Sequence, residues 1–137
     1  MIYISSFTYC DRIQTEMTPK GPRNQIVNPL QVLAPIAVPG NYSFAIACNI
    51  AGFDARQENS VRIQFVSPSE KVLNDTNDIK FQLPPEQVKL DRPSVMQFNI
   101  DMRNLVLSEK GVYSTKVYVN GKQIGEYKIP VIEGVSQ

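Results

Sequence analysis

Apolar and polar residues alternate with a period of two along most of this chain, and that period commits it to β-structure. Tyr42, Phe44, Ile46, Cys48 and Ile50 alternate with Ser43, Ala45, Ala47 and Asn49. Val61, Ile63 and Phe65 alternate with Arg62 and Gln64, and Met96, Phe98, Ile100 and Met102 with Gln97, Asn99, Asp101 and Arg103. Successive side chains of a strand point to opposite faces, so each run reads as an antiparallel strand with one buried and one wet face. No stretch longer than about ten residues keeps a helical stripe free of proline. Ten Pro and seven Gly break the 137 residues at short intervals, which is the punctuation of a sandwich or barrel.

Strands are expected at about 2–10, 26–38, 42–51, 60–66, 71–73, 78–83, 95–106, 112–119 and 122–131. Asn120-Gly121 is the strongest hairpin signal, because a type I′ turn needs positive φ at both central residues. Pro29 and Pro35 deny the second strand two ladder donors, so it is expected at an edge, bulged or split in two. Residues 14–25 and 84–94, polar and proline-bearing, are expected as two long loops. The predicted core contains Phe7, Phe44, Ile46, Cys48, Ile63, Phe65, Phe81, Phe98, Ile100, Tyr113, Val117, Val119 and Ile129. The length fits one domain spanning 1–137. The fold expected is an all-β, immunoglobulin-like antiparallel sandwich of seven to nine strands.

The stretch Lys110-Gly111-Val112-Tyr113, followed by Val117, Val119 and the Asn120-Gly121 hairpin, resembles the closing part of immunoglobulin-like and fibronectin-type sandwiches. The resemblance places Tyr113 at the tyrosine corner, with its hydroxyl bonded back to the preceding turn. The chain has no Trp, so the Cys…Trp…Cys pattern of antibody domains is missing. The whole chain, with Cys10-Asp11-Arg12 following its first strand, also resembles a loose group of bacterial or phage single-domain proteins of unknown function. That resemblance implies a bacterial or phage origin and no particular activity.

Composition removes several chemistries. There is no His, which takes away histidine acid–base catalysis, Ser-His and Cys-His nucleophile pairs, and His-ligated metals. The formal charge is +1, from 14 Lys+Arg against 13 Asp+Glu, so no strong field draws nucleic acid or an anionic membrane. No apolar window approaches the ~18 residues of a membrane span, and the first residues lack the basic lead of a secretory signal. A cytoplasmic protein is expected. Cys10 and Cys48 match no metal or redox spacing and read as buried hydrophobes in neighbouring strands, with a disulfide as the alternative.

The favoured function is therefore a non-catalytic protein-interaction or assembly module that uses no cofactor. Lys20, Arg23 and Arg56 are expected to gather at one end of the sandwich. Lys89 and Arg92 belong to the second long loop. The apolar run containing Val32 and Ile36 would leave an edge open to a protein partner or to a homo-oligomer. A phage or mobile-element factor that inhibits a host protein or decorates a particle is an alternative. A Ca²⁺-dependent binder or small enzyme using Asp11, Asp75 and Asp78 is a third.

Overall fold

Two antiparallel sheets face each other across an apolar core in the computed structural model, which describes residues 1–88 and 91–134. The first sheet has the order β2-β1-β3-β7, built from β1 (Tyr3–Thr18), β2 (Gly21–Pro29), β3 (Gly40–Phe53) and β7 (Ser94–Leu107). The second has the order β5-β4-β8-β9, built from β4 (Asn59–Val66), β5 (Val72–Asp75), β8 (Gly111–Val119) and β9 (Lys122–Val131). A short β6 (Ile79–Phe81) pairs with the start of β4, and Pro85–Gln87 form a single 3₁₀ turn. β1, β3 and β7 sit where an immunoglobulin fold has A, B and E, while β4, β8 and β9 sit as C, F and G, with β5 beside β4 as C′. The protein is an immunoglobulin-like sandwich.

The period-two pattern builds the core as expected. Phe44, Ile46, Cys48 and Ile50 of β3 meet Val61, Ile63 and Phe65 of β4 and Tyr113 and Val117 of β8 in one buried cluster. Of the thirteen predicted core residues, Phe7 and Ile100 are half-buried and packed against that cluster, and the rest are buried. Asn120 and Gly121 take φ of 51° and 80°, the positive values that the hairpin between β8 and β9 requires. Tyr113 is fully buried, and its hydroxyl donates to the Glu109 carbonyl at 2.7 Å while the Glu109 N–H donates to it at 3.3 Å. The tyrosine corner is present.

Two elements differ from the sequence expectation. Residues 14–25 are a β-hairpin, in which β1 runs on to Thr18 and β2 starts at Gly21. Pro19 presets the first corner, and Gly21 takes φ +113°, a conformation open to glycine. The strand expected over 26–38 ends at Pro29. The chain then leaves the first sheet and runs beside β9, where Leu33 makes an isolated parallel bridge to Val131. The split follows from the prolines, which withhold ladder donors on both sides of Leu33. The Leu33 N–H donates to the Pro130 carbonyl at 2.9 Å, and the Ile132 N–H to the Leu33 carbonyl at 3.0 Å. Leu33 enters the core, whereas Val32 and Ile36 stay exposed.

Tyr9 ties the sheets together from inside. Its hydroxyl donates to the Tyr127 carbonyl at 2.8 Å. A phenol has one proton to give, so at its 2.6 Å contact with Thr115 it accepts from the threonine hydroxyl. Thr115 is fully buried. Tyr113→Phe is expected to lower stability by about 1 kcal/mol, seen as a lower urea midpoint with an unchanged slope. Tyr9→Phe is expected to cost about 2 kcal/mol, because it leaves a buried hydroxyl and a carbonyl facing a gap between sheets. Equal midpoints for wild type and Tyr9→Phe would show that the clasp contributes nothing.

Candidate functional site

The hairpin of β1 and β2 parts from the rest of its sheet. β1 pairs with β3 from Tyr3 to Cys10 and, beyond that point, with β2 alone, while β3 and β7 run on together to Gly40 and Leu107. The ribbon from Asp11 to Asn28 is therefore a two-stranded arm that leaves the sandwich at one end. Its register sets Ile13 opposite Ile26, Thr15 opposite Asn24, and Met17 opposite Pro22. Arg12 with Val27, Gln14 with Gln25, and Glu16 with Arg23 occupy the other face.

Strand parity says where the apolar face points. Tyr9 faces the core, and Ile13, Thr15 and Met17 share its parity. The arm's apolar face is thus the core face of β1 continued past its last pairing with β3. Asp11 and Asn28 mark the boundary, with the Asn28 amide donating to the Asp11 carboxylate at 2.6 Å. Past that row Ile13 is half-buried, while Met17 is 76% exposed and Ile26 43%. Thr15 and Asn24 bond each other across the strands at 3.2 Å.

The same end of the sandwich collects the other exposed apolar side chains. Val32, Ile36 (83% exposed) and Ile132 line the strip beside the end of β9. Val72, Val106 and Val112 stand exposed where β5 begins, β7 ends and β8 begins. The strand directions put all of these at the arm end. Of the large apolar side chains exposed among the described residues, Met1, Tyr3 and Val95 alone lie at the opposite end.

The predicted cations do not gather as one group. Lys20 is at the arm tip, and Arg23 is beside it on the polar face. Arg56 and Arg92 share the far end, around a shallow depression of about 390 Å³ that Phe53, Val88 and Pro93 also line. The reason is topological. A strand over 26–38 would have made β1 and β3 run the same way, whereas the hairpin leaves them adjacent and antiparallel. The end of β1 and the end of β3 are then at opposite poles. Arg56 pairs with Asp54 at 3.1 Å and Arg92 with Asp91 at 3.5 Å, so each charge is met locally. Lys89 lies outside the described residues.

The acidic candidates are also separated. Asp11 is on the arm of the first sheet. Asp75 is on β5 of the second, where both carboxylate oxygens accept from the Arg62 guanidinium and one also from Gln64. The Arg62 hydrogen bonds hold the Asp75 carboxyl well below the usual carboxylate range. Asp78 lines a depression of about 320 Å³ with Arg62, Gln64, Tyr118 and Gly121. Among the described residues no three His, Cys, Asp or Glu side chains converge as a metal site would need.

Cys10 and Cys48 are free and buried on neighbouring strands. Cys48 pairs with Phe7 and Cys10 with Ala45, so the thiols lie on opposite faces of the sheet and cannot bridge. Burial pushes the Cys48 thiol up to about 12. Burial, and then the nearby Asp11 and Asp101 carboxylates, raise Cys10, which opposes any activation of its thiol by Arg12.

A protein-family model matches residues 5–132. The chain belongs to DUF6941. That family is described as one of unknown function. No curated protein matches this DUF6941 chain. Among solved structures, it is similar to an alkylpurine DNA glycosylase, AlkC of Pseudomonas fluorescens, bound to DNA containing an abasic-site analogue. That likeness has a TM-score of 0.54 and 11% identity over 95% of this chain and 30% of the glycosylase. The DUF6941 chain thus spans about a third of that enzyme's length, and the likeness is one of fold. It also matches an immunoglobulin-like protein of Pseudomonas aeruginosa at 12% identity and a TM-score of 0.44, over 96% of this chain and 97% of the other. No helix among the described residues is long and apolar enough to cross a membrane.

Sequence reasoning missed the arm's apolar face. The signal was there: Pro19-Lys20-Gly21 is a tight-turn tripeptide just after Ile13 and Met17, which alternate with polar residues.

Because the Asp75 carboxyl is held low in the folded protein, its contribution to stability is present above the ordinary carboxylate range of about 4. It is lost as pH falls toward the folded value. Asp75→Asn is expected to be less stable than wild type at pH 6, and the gap should close as pH falls below about 4. Denaturant melts from pH 2 to pH 7 check it, and a gap constant with pH would remove Asp75 as the titrating partner.

Proposed function

We propose that this protein is a non-catalytic protein-interaction and assembly module, of bacterial or phage origin, whose working surface is the arm end of the sandwich. The observation that carries the reading is the uncovered apolar face of the arm, which joins the other exposed apolar side chains at one pole. Monomeric soluble proteins rarely leave large contiguous apolar patches in water, and such patches mark interaction sites. The chemistry elsewhere supports the same reading. The chain has no His, its two thiols are buried with raised pKa values, and the cations of the far depression each have an acid beside them. The glycosylase with a similar fold is bound to DNA, but a formal charge of +1 without a basic stripe favours a protein partner for this chain.

The arm touches little of the body, so it can be removed without opening the core. Replacing residues 12–27 by Asn-Gly is expected to keep the melting temperature within a few degrees and to abolish co-purification of partner proteins from native cells. An Arg56→Ala, Arg92→Ala variant is expected to keep those partners. If the shortened protein retains the same partners, the working surface is elsewhere.

A further inference from the structure

We infer that the arm's apolar face takes a second copy of this chain, arm against arm, about a two-fold axis through the Thr15–Asn24 row. The inference rests on the arm end being the working surface and goes further, to the occupant. Along the arm the apolar face reads Ile13 with Ile26, then Thr15 with Asn24, then Met17 with Pro22. That sequence of apolar, polar and apolar rows is its own complement when reversed. Two arms laid face to face and antiparallel put Ile13 and Ile26 of one against Met17 and Pro22 of the other. The Thr15–Asn24 rows then meet on the axis, as an isologous interface requires. That central row is already bonded across the strands at 3.2 Å, so its desolvation leaves fewer polar atoms unpaired.

Charge complementarity selects the same arrangement. Asp11 stands at the base of the arm, bonded to the neutral Asn28, and Lys20 stands at the tip. Neither makes an ion pair among the described residues of its own chain. Counted from the Thr15 row, the base is four residues away and the tip five. Reversed arms therefore bring the tip Lys20 of each copy over the base Asp11 of the other. The polar face, with Arg12, Glu16 and Arg23, remains in water. Packing two ribbons about 10 Å apart over such a length buries on the order of 1,000 Å² in total, the low end for a specific interface. An interface of that size belongs with the weak, transient ones.

The test is sedimentation of the full chain across ~1 µM to 1 mM, with melting curves for every variant. Wild type is expected to pass from monomer to dimer within that range. Met17→Glu is expected to stay monomeric with an unchanged melting temperature, since the side chain it replaces touches water. Asp11→Lys and Lys20→Asp are each expected to weaken the dimer about tenfold, and the double variant to restore it. Thr15→Cys, treated with a short bis-maleimide, is expected to cross-link to itself, and Gln14→Cys, on the polar face, is not. A wild type that stays monomeric at 1 mM overturns the inference. So does a dimer that survives Met17→Glu, or a charge exchange that fails to restore association. A monomeric wild type whose partners still vanish when the arm is removed would leave the assembly reading standing and refute the second copy as occupant.

Discussion

The clasp that Tyr9 makes between the sheets fixes how they face each other, and the rest of the molecule is arranged around it. Its phenol reaches from the first sheet to Thr115 and to the backbone of β9 in the second. Around it runs a chain of aromatic contacts. Tyr127 stacks on Phe7 with centroids 4.0 Å apart, Phe7 meets Tyr9 edge-on at 5.0 Å, and Phe44 and Phe65 continue the chain to Tyr113. Buried hydroxyls demand partners, and these partners fix the spacing and register of the sheets at that level. Just past Tyr9, at Cys10, β1 leaves β3 and pairs with β2 alone, and the Asn28 amide bonds the Asp11 carboxylate at that boundary.

That boundary turns one pattern into two outcomes. Before it, alternation buries Tyr9 and half-buries Phe7; past it, the same alternation leaves Ile13 half-buried and Met17 in solvent. A free hairpin with one apolar face gains nothing from its own chain for that face, and an isolated two-stranded ribbon is marginal in water. The proposed second copy would supply the layer that this face lacks. The far end is built on different terms. Arg56 and Arg92 each stand beside an acid from their own loop, so the depression between them presents paired charge instead of a free cation.

The sandwich itself was legible in the sequence. Period two, proline and glycine punctuation, the Asn120-Gly121 turn and Tyr113 each report a local requirement that one residue or one strand meets by itself. Two matters were decided only by tertiary structure. The first is the direction of neighbours: β1 and β3 are antiparallel because residues 14–25 fold back as a hairpin, and this sent Lys20 and Arg56 to opposite poles. The second is cover. Leu33 and Ile36 look alike in the sequence, yet Leu33 is sealed beneath β9 and Ile36 stands in water. Periodicity states which residues share a face; it does not state whether another layer lies over that face, because the layer comes from residues distant in the chain. The sequence alone therefore determined the strands and their apolar sides, and the tertiary structure decided which of those sides became core and which stayed open to solvent.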